Sequence, residues 1–159
     1  MLHIKLIALG TLKESYLREA VAEYEKRLSA YARVDIAELK ECRVPDSPAS
    51  AEIEAALEKE ADAILAAIPP RAYVVALCVE GKQFSSEALA EKLSSVMQQS
   101  GDLVLIIGSS HGLSPRVKSA AHLKLSVSAL TFPHQLMRVL LLETTYRSLS
   151  ILHGSKYHK

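Results

Sequence analysis

LKLSVSALTFPHQLMRVLLLE, residues 123–143, joins a short apolar run to a long apolar helix through a loop of small residues. The residues before position 126 alternate between apolar and polar, which is typical of a strand. Pro133 then favours a helix from His134, because the N–H that proline lacks would be unpaired at a helix start. Two interpretations follow. The stretch is a buried strand, a turn and a core helix, or the free N–H groups of the helix and the loop 126–131 form a polar ligand site.

Four further strand patterns alternate with helix patterns before this stretch, at residues 3–9, 34–39, 73–79 and 103–107. The last two are continuous apolar runs, as expected of strands covered on both faces. Residues 34–39 alternate between apolar and polar, as a half-buried strand or an edge strand does. This repeated β-α order predicts a three-layer α/β fold with a mostly parallel sheet, built as a single domain over residues 1–159.

Short local motifs predict where the helices begin. Thr11 and Glu14 have the spacing of a capping box. Ser47 and Ser114 each precede a proline, which predicts an N-cap followed by proline in the first helical turn. Residues 80–82, Glu-Gly-Lys, are predicted to form a turn after the third strand.

The carboxyl ends of the predicted strands are candidates for a ligand site, because parallel α/β sheets bind ligands there. These ends are Gly10, residues 77–81, residues 108–112 and residues 126–131, and three of the four contain glycine. Glycine lets the backbone approach a ligand closely. Neither the dinucleotide pattern GxGxxG nor the phosphate-loop pattern GxxxxGK[ST] occurs. A nucleotide-like ligand would therefore be held by backbone groups and apolar walls.

The cysteines and the apolar runs narrow the class of protein further. Cys42 and Cys78 form no CxxC pair and have no metal-ligand spacing, so no metal site or disulfide is predicted. This cysteine usage favours a cytoplasmic location. No apolar run approaches the roughly 18–20 residues that a membrane span needs, so no membrane partner is expected.

The charges are distributed unevenly along the chain. Residues 103–159 contain seven Lys or Arg against one acid, Glu143, for a net charge of +6, whereas residues 1–102 contain 12 bases and 17 acids, for −5. Such asymmetry indicates that the C-terminal part faces an anionic partner, unless the acids are only the solvated faces of the first helices.

The last predicted helix is apolar over more than half of its circumference, from His134 to Leu152. A helix of this kind is buried on more than one side. One side can face the sheet, and the same helix of a second subunit can cover the other. Glu143 and Arg147 are one turn apart and can pair. The tail after Leu152, HGSKYHK, is basic and contains one tyrosine.

Five segments carry a family resemblance: IKLIALGTLKE, AYVVALCVEGK, IIGSSHGLS, LKLSVSALTFPHQLMR and YRSLSILHGSKYHK. Together they resemble the SPOUT methyltransferases, and among these the RlmH family, which methylates N3 of a pseudouridine in large-subunit ribosomal RNA. The resemblance covers the whole chain. One departure lies in the glycine loop, where the family pattern IGG is replaced by Ile107-Gly108-Ser109.

The resemblance implies an α/β fold with a C-terminal trefoil knot, formed where the chain after residue 126 threads through an earlier loop. It also implies an S-adenosyl-L-methionine pocket made by three loops and no metal. The residues expected to bind this cofactor are Leu77, Gly108, Val127, Ser128, Ala129, Leu130, Thr131 and Phe132.

The resemblance also implies methyl transfer on the assembled ribosome by a cytoplasmic homodimer, paired through the C-terminal helix, in which the tail of one protomer completes the other's pocket. Three residues are the catalytic candidates. Arg138 would stabilise charge or hold RNA, Tyr157 would stack on or hydrogen-bond the base, and His158 would act as base or orienting group. His134 is the next candidate. A related enzyme acting on transfer RNA or another rRNA base, or a ribosome-binding module without turnover, remains an alternative.

Overall fold

The computed structural model describes all 159 residues and contains one five-stranded sheet. The strands lie in the order β2-β1-β4-β3-β5, and every neighbouring pair is parallel. The predicted parallel sheet is therefore confirmed, and the second strand is an edge strand, one of the two alternatives that its pattern allows. The strands are β1 (Leu2–Leu9), β2 (Ala32–Leu39), β3 (Tyr73–Lys82), β4 (Asp102–Ile107) and β5 (Leu123–Leu125).

Helices connect consecutive strands, as parallel neighbours require. They are α1 (Ser15–Leu28), α2 (Ser50–Ala67), α3 (Ser86–Gln99), α4 (Pro115–Ala120) and α5 (His134–Leu152), and a 3-10 turn follows at Lys156–His158. α5 begins at His134, where Pro133 predicts it.

Two apolar clusters cover the two faces of the sheet, because successive strand side chains point to opposite sides. Ile4 and Leu6 of β1 belong to the cluster that includes residues of α1, α3 and α5, whereas Ile7 and Leu9 belong to the cluster with residues of α2 and α4. This arrangement of helices on both faces confirms the three-layer α/β class. α5 packs against both α1 and α3.

The predicted capping box at the start of α1 is wrong. Thr11 does not cap the helix, which begins only after Glu14 and has no side-chain cap. Instead Arg18, in the first turn, donates hydrogen bonds to the carbonyls of Leu12 and Lys13 at 3.1 and 2.8 Å. The side chain of Arg18 thus holds the segment before α1, where a capping box was predicted.

The predicted cap at Ser47 is also wrong, whereas the cap at Ser114 is confirmed. α2 starts after Ala49, whose N–H donates to the carboxylate of Glu52 at 3.2 Å, and this contact replaces a serine cap. The hydroxyl of Ser114 accepts a hydrogen bond from the N–H of Val117 in the first turn of α4.

β3 is longer than predicted, because residues 80–82 continue the strand instead of forming a turn. A register shift lets Lys82 pair with Leu125 of β5. Gly81 makes this possible, since a Cβ there would lie 2.7 Å from the carbonyl oxygen of Lys124. The extension also lets the N–H of Ser126 donate to the carbonyl of Lys82 at 2.9 Å, which fixes the start of the loop that leads into α5.

Candidate functional site

A cavity of about 500 Å³ opens at the carboxyl edge of the sheet. Three segments form its walls: residues 77–79 of β3, the loop that follows β4, and the loop between β5 and α5 with the start of that helix. The volume lies in the range of roughly 300–1,000 Å³ that is typical of small-molecule sites. The cavity lies where the strand ends predict a ligand site.

Seven of the eight residues expected to bind a cofactor line this cavity, and Ala129 is the exception. Their contribution to binding stays a prediction. Cys78 and Ser126 also line the cavity, and both lie in the strand ends predicted to form a ligand site. Sequence reasoning missed Met137, which lines the cavity because the first turn of α5 runs past the opening. The seven are Leu77, Gly108, Val127, Ser128, Leu130, Thr131 and Phe132.

The loop after β4 is closed tightly against itself. A Cβ on Gly108 would lie 2.6 Å from the carbonyl carbon of Gly112 and closer still to its oxygen. Gly112 adopts φ +85°, and its N–H donates to the carbonyl of Ser109 at 2.9 Å. The loop therefore has one compact backbone conformation that requires glycine at both ends.

Backbone donors are available in the loop that leads into α5. The N–H groups of Val127, Ser128 and Ala129 have no hydrogen-bond partner within the chain, whereas the N–H of Leu130 donates to the hydroxyl of Ser128 at 3.0 Å. Unpaired backbone donors beside a cavity are free to bind a polar ligand. This matches the expectation that backbone groups hold the ligand.

Residues 108–112 read GSSHG and so have the G-x-S-x-G spacing of a hydrolase nucleophile elbow. Such a nucleophile needs a histidine within hydrogen-bond reach. The hydroxyl of Ser110 makes no hydrogen bond to a histidine: three rings bond to Val74, Leu149 and Glu87, and His3 pairs with Asp102. Ser110 therefore lacks the hydrogen-bonded base of such a nucleophile, and the motif does not indicate a hydrolase.

Arg138 follows the cavity residue Met137 in α5 but is itself almost completely buried, with 1% of its surface exposed. Its guanidinium pairs with Glu38 of β2 at 2.5 Å. The same group donates to the carbonyls of Leu9 and Gly10, at 3.1 and 2.7 Å, where β1 ends. The geometry favours a structural role, and the predicted contact of Arg138 with RNA or developing charge stays a prediction.

Tyr157 and His158 lie in the 3-10 turn, which packs on α5 and does not line the cavity of the same chain. The hydroxyl of Tyr157 donates to Glu143 at 3.0 Å, and the guanidinium of Arg147 lies 4.8 Å from its ring centre. His158 Nε2 is 2.7 Å from a carboxylate oxygen of Glu87 in α3. The predicted pair of Glu143 and Arg147 is confirmed, at 2.5 Å.

The environment of Tyr157 affects its proton. Burial raises the pKa of Tyr157 to about 12, and the hydrogen bond to Glu143 acts in the same direction. The phenol therefore stays protonated at neutral pH. In this position Tyr157 can donate a hydrogen bond but cannot serve as a general base.

The charge asymmetry along the chain is partly neutralised within the fold. Acids of the first part pair with three bases of the C-terminal part: Arg116 with Glu58 and Asp62, Lys118 with Glu80, and Arg138 with Glu38. The asymmetry therefore carries less weight as evidence for an anionic partner than the count of charges suggests.

The fold and the cavity define an α/β protein with a small-molecule site at the carboxyl ends of parallel strands. The family model described as "Predicted SPOUT methyltransferase" matches residues 2–158. The chain belongs to the SPOUT methyltransferase family. Membership implies catalysis of methyl transfer and a methyl donor of the S-adenosylmethionine type. The trefoil knot is implied by membership too, and the threading of the chain after residue 126 stays a prediction.

Two relatives support the narrower resemblance. The protein named Ribosomal RNA large subunit methyltransferase H of Streptococcus thermophilus is 47% identical over 157 residues, which cover 98% of this chain and 99% of the relative. The protein of the same name from Streptococcus suis is 46% identical with the same coverage. The resemblance drawn from the five sequence segments is confirmed.

None of the protein's helices combines the length and the apolarity needed to cross a bilayer. No group of three or more His, Cys, Asp or Glu side chains is arranged to hold a metal ion.

Proposed function

We propose that this protein methylates ring N3 of a pseudouridine in large-subunit ribosomal RNA, with S-adenosyl-L-methionine as the methyl donor and the assembled ribosome as substrate. One observation carries the proposal: the segments that the RlmH resemblance assigns to the donor meet in a single cavity of suitable size. The relatives support it, because proteins 46–47% identical over nearly the whole chain are named for large-subunit rRNA.

The residues of the cavity fit such a donor. Leu77, Ile107 and Met137 supply apolar walls that suit a purine ring. The unpaired N–H groups of Val127 and Ser128 suit the polar groups of the ribose and the amino acid. When bound, the donor supplies an electrophilic methyl group. The task of these residues is to hold that group in line with the ring nitrogen at near-attack distance.

For the RNA side of the reaction we propose the C-terminal tail. Methylation at N3 requires loss of the imide proton, so a base or a group that stabilises the developing anion is needed. Tyr157, protonated at neutral pH, suits a hydrogen bond to the target base, and His158 suits the role of base or orienting group. Because neither residue lines the cavity of its own chain, the tail would act on the cavity of a second protomer.

A homodimer through α5 supplies that second protomer. Leu136 and Leu140, one turn apart on α5, are only half-buried in the single chain and pack against neither apolar cluster, so they form an apolar outer surface. A second copy of the same helix would cover this surface in a symmetric interface. A substrate on the ribosome also implies a cytoplasmic location.

The test is methyl transfer from labelled S-adenosylmethionine to unmodified assembled ribosomes, with mass spectrometry of the modified nucleoside. Free rRNA and transfer RNA serve as comparison substrates. Label on one pseudouridine of the large subunit, only in assembled ribosomes, supports the proposal. Label on transfer RNA or on another base would assign a different substrate, and no label on any RNA would contradict the proposal.

A second experiment tests the shared site. One protomer carries Tyr157→Ala, which damages its tail, and its partner carries Gly108→Ala, which damages its cavity. If the tail acts across the dimer, the mixed dimer retains one intact composite site and roughly half of the activity of one wild-type dimer. If the tail acts within its own chain, every site in the mixed dimer is damaged and activity is lost. A dimer with both changes in the same protomer is the matched control.

A further inference from the structure

We infer that Ser109 and Glu60 form a positioning pair that holds one wall of the donor cavity in its binding conformation. The inference rests on the proposed function, because it takes the ligand of the cavity to be the methyl donor. Ser109 stands where the family pattern IGG has its second glycine. Its hydroxyl donates to a carboxylate oxygen of Glu60 in α2 at 3.0 Å.

Both members of the pair are buried: Glu60 is 4% exposed and Ser109 is 6% exposed. The second carboxylate oxygen of Glu60 accepts a hydrogen bond from the N–H of Cys42 at 2.9 Å. The buried carboxylate is thus satisfied by donors from two loops, one after β2 and one after β4. Because an unsatisfied buried carboxylate is costly, the carboxylate ties both loops to α2.

The pair acts on the cavity through the loop after β4. Ser110 and His111 are exposed, so Ser109 is the residue that anchors the tip of this loop to the body of the protein. Its carbonyl accepts the hydrogen bond of Gly112 that closes the loop. The hydroxyl of Ser109 donates to Glu60, so the side chain that replaces a glycine at this position attaches the loop to α2.

Loss of the pair is therefore expected to weaken donor binding without changing the reacting groups. A loop that occupies its binding conformation only part of the time lowers the apparent affinity in proportion to the lost population. The ordinary strength of a hydrogen bond to a charged group corresponds to a factor of roughly ten or more, and we expect part of it, roughly fivefold, to appear as lost donor affinity. The rate at saturating donor should be nearly unchanged, because Ser109 and Glu60 are positioning residues.

The structure offers a matched control on the same helix, α2. Arg116 of α4 pairs with Glu58 and Asp62 of α2, each two residues from Glu60 along the chain. All three side chains are about half exposed or more, and none lines the cavity. Arg116→Gln therefore breaks a contact between α2 and α4 but leaves the cavity wall attached.

The experiment measures the Kd of S-adenosylhomocysteine by calorimetry for Ser109→Ala, Glu60→Ala and the double variant. We expect each single variant to bind roughly fivefold more weakly, and the double variant to be no weaker than the worse single one, since both changes remove one contact. Glu60→Gln should bind within about twofold of wild type, because its amide oxygen can accept from Cys42 while its amide N–H donates to Ser109. Arg116→Gln should bind like wild type.

Fully additive losses, or single variants that bind like wild type, would overturn the inference. So would a fall in kcat at unchanged KM for the donor. If Glu60→Ala does not fold, Ser109→Ala and Glu60→Gln keep the test intact. Hydrogen–deuterium exchange of residues 107–113 in the ligand-free protein separates this inference from the proposed function. Faster exchange in Ser109→Ala supports the pair even if wild type binds no donor, whereas unchanged exchange contradicts it.

Discussion

The guanidinium of Arg138 on α5 lies 2.5 Å from the carboxylate of Glu38 on the edge strand β2. It also reaches the carbonyls at the end of β1. One side chain near the C-terminus thus joins the last helix to the first two strands. Because its guanidinium bonds to these groups, Arg138 is buried in the fold, although the sequence made it a candidate for contact with RNA.

Arg138→Met is expected to destabilise the fold by about 3 kcal/mol, at the low end for a broken buried pair because Glu38 can still reach solvent. Urea unfolding measures the loss. Arg116→Met removes an exposed ion pair instead and should cost less than about 1 kcal/mol. If Arg138→Met is as stable as wild type yet inactive on RNA, the residue acts on the substrate and the structural role is wrong.

Gly108→Ala is expected to weaken donor binding strongly, since the added methyl group would overlap the backbone of Gly112 and force the loop open. Calorimetry with S-adenosylhomocysteine should give a Kd at least roughly tenfold higher, the effect of about 1.4 kcal/mol. Gly101→Ala is the control, because nothing lies within 4 Å of a Cβ at that position. Equal donor affinity in the two variants would mean that the loop tolerates opening.

Tyr157→Ala is expected to reduce methyl transfer by about 100-fold or more while the Kd of the donor changes by less than about twofold, because the residue lies outside the donor cavity. Tyr157→Phe keeps the ring beside Arg147 but loses the hydroxyl bond to Glu143. A Phe variant as active as wild type would assign stacking to this residue, and one as inactive as the Ala variant would assign hydrogen bonding. A large change in donor affinity would place Tyr157 in the donor site instead.

Acid should destabilise wild type more than it destabilises Glu80→Gln. The hydrogen bond from Lys118 holds the pKa of the Glu80 carboxyl below its ordinary value of 4.5. A lowered folded-state pKa stabilises the fold above the ordinary pKa, and this contribution is lost as the pH falls through the folded pKa. Because both side chains are partly exposed, the difference should be less than about 1 kcal/mol. Thermal unfolding between neutral pH and about pH 3 measures it, and parallel curves for the two proteins would contradict the expectation.

The fold could be predicted from the sequence, because the patterns that indicate its strands and helices are local. The apolar runs at 73–79 and 103–107 correspond to β3 and β4, and the proline before His134 marks the start of α5. The position of the cavity could be predicted as well, since the carboxyl ends of parallel strands meet at one edge of a sheet. Seven of the eight residues that the family resemblance assigns to the donor lie there, because they belong to three of the predicted strand ends and the residues that follow them.

The features that the sequence did not reveal depend on contacts between distant residues. Gly81 looks like a turn residue, and only the approach of β5 shows that it belongs to a strand. Glu60 looks like a solvated position on a charged helix, and its burial follows from the path of two loops. The placement of Arg138 depends likewise on Glu38, 100 residues earlier in the chain.

One apolar cluster includes residues from Leu2 to Leu149, and α5 packs between α1 and α3. The early strands and the last helix therefore need one another for burial. Contacts of such long sequence separation slow folding. The cavity, whose walls include the start of α5, should thus form late in folding, after the two ends of the chain have met.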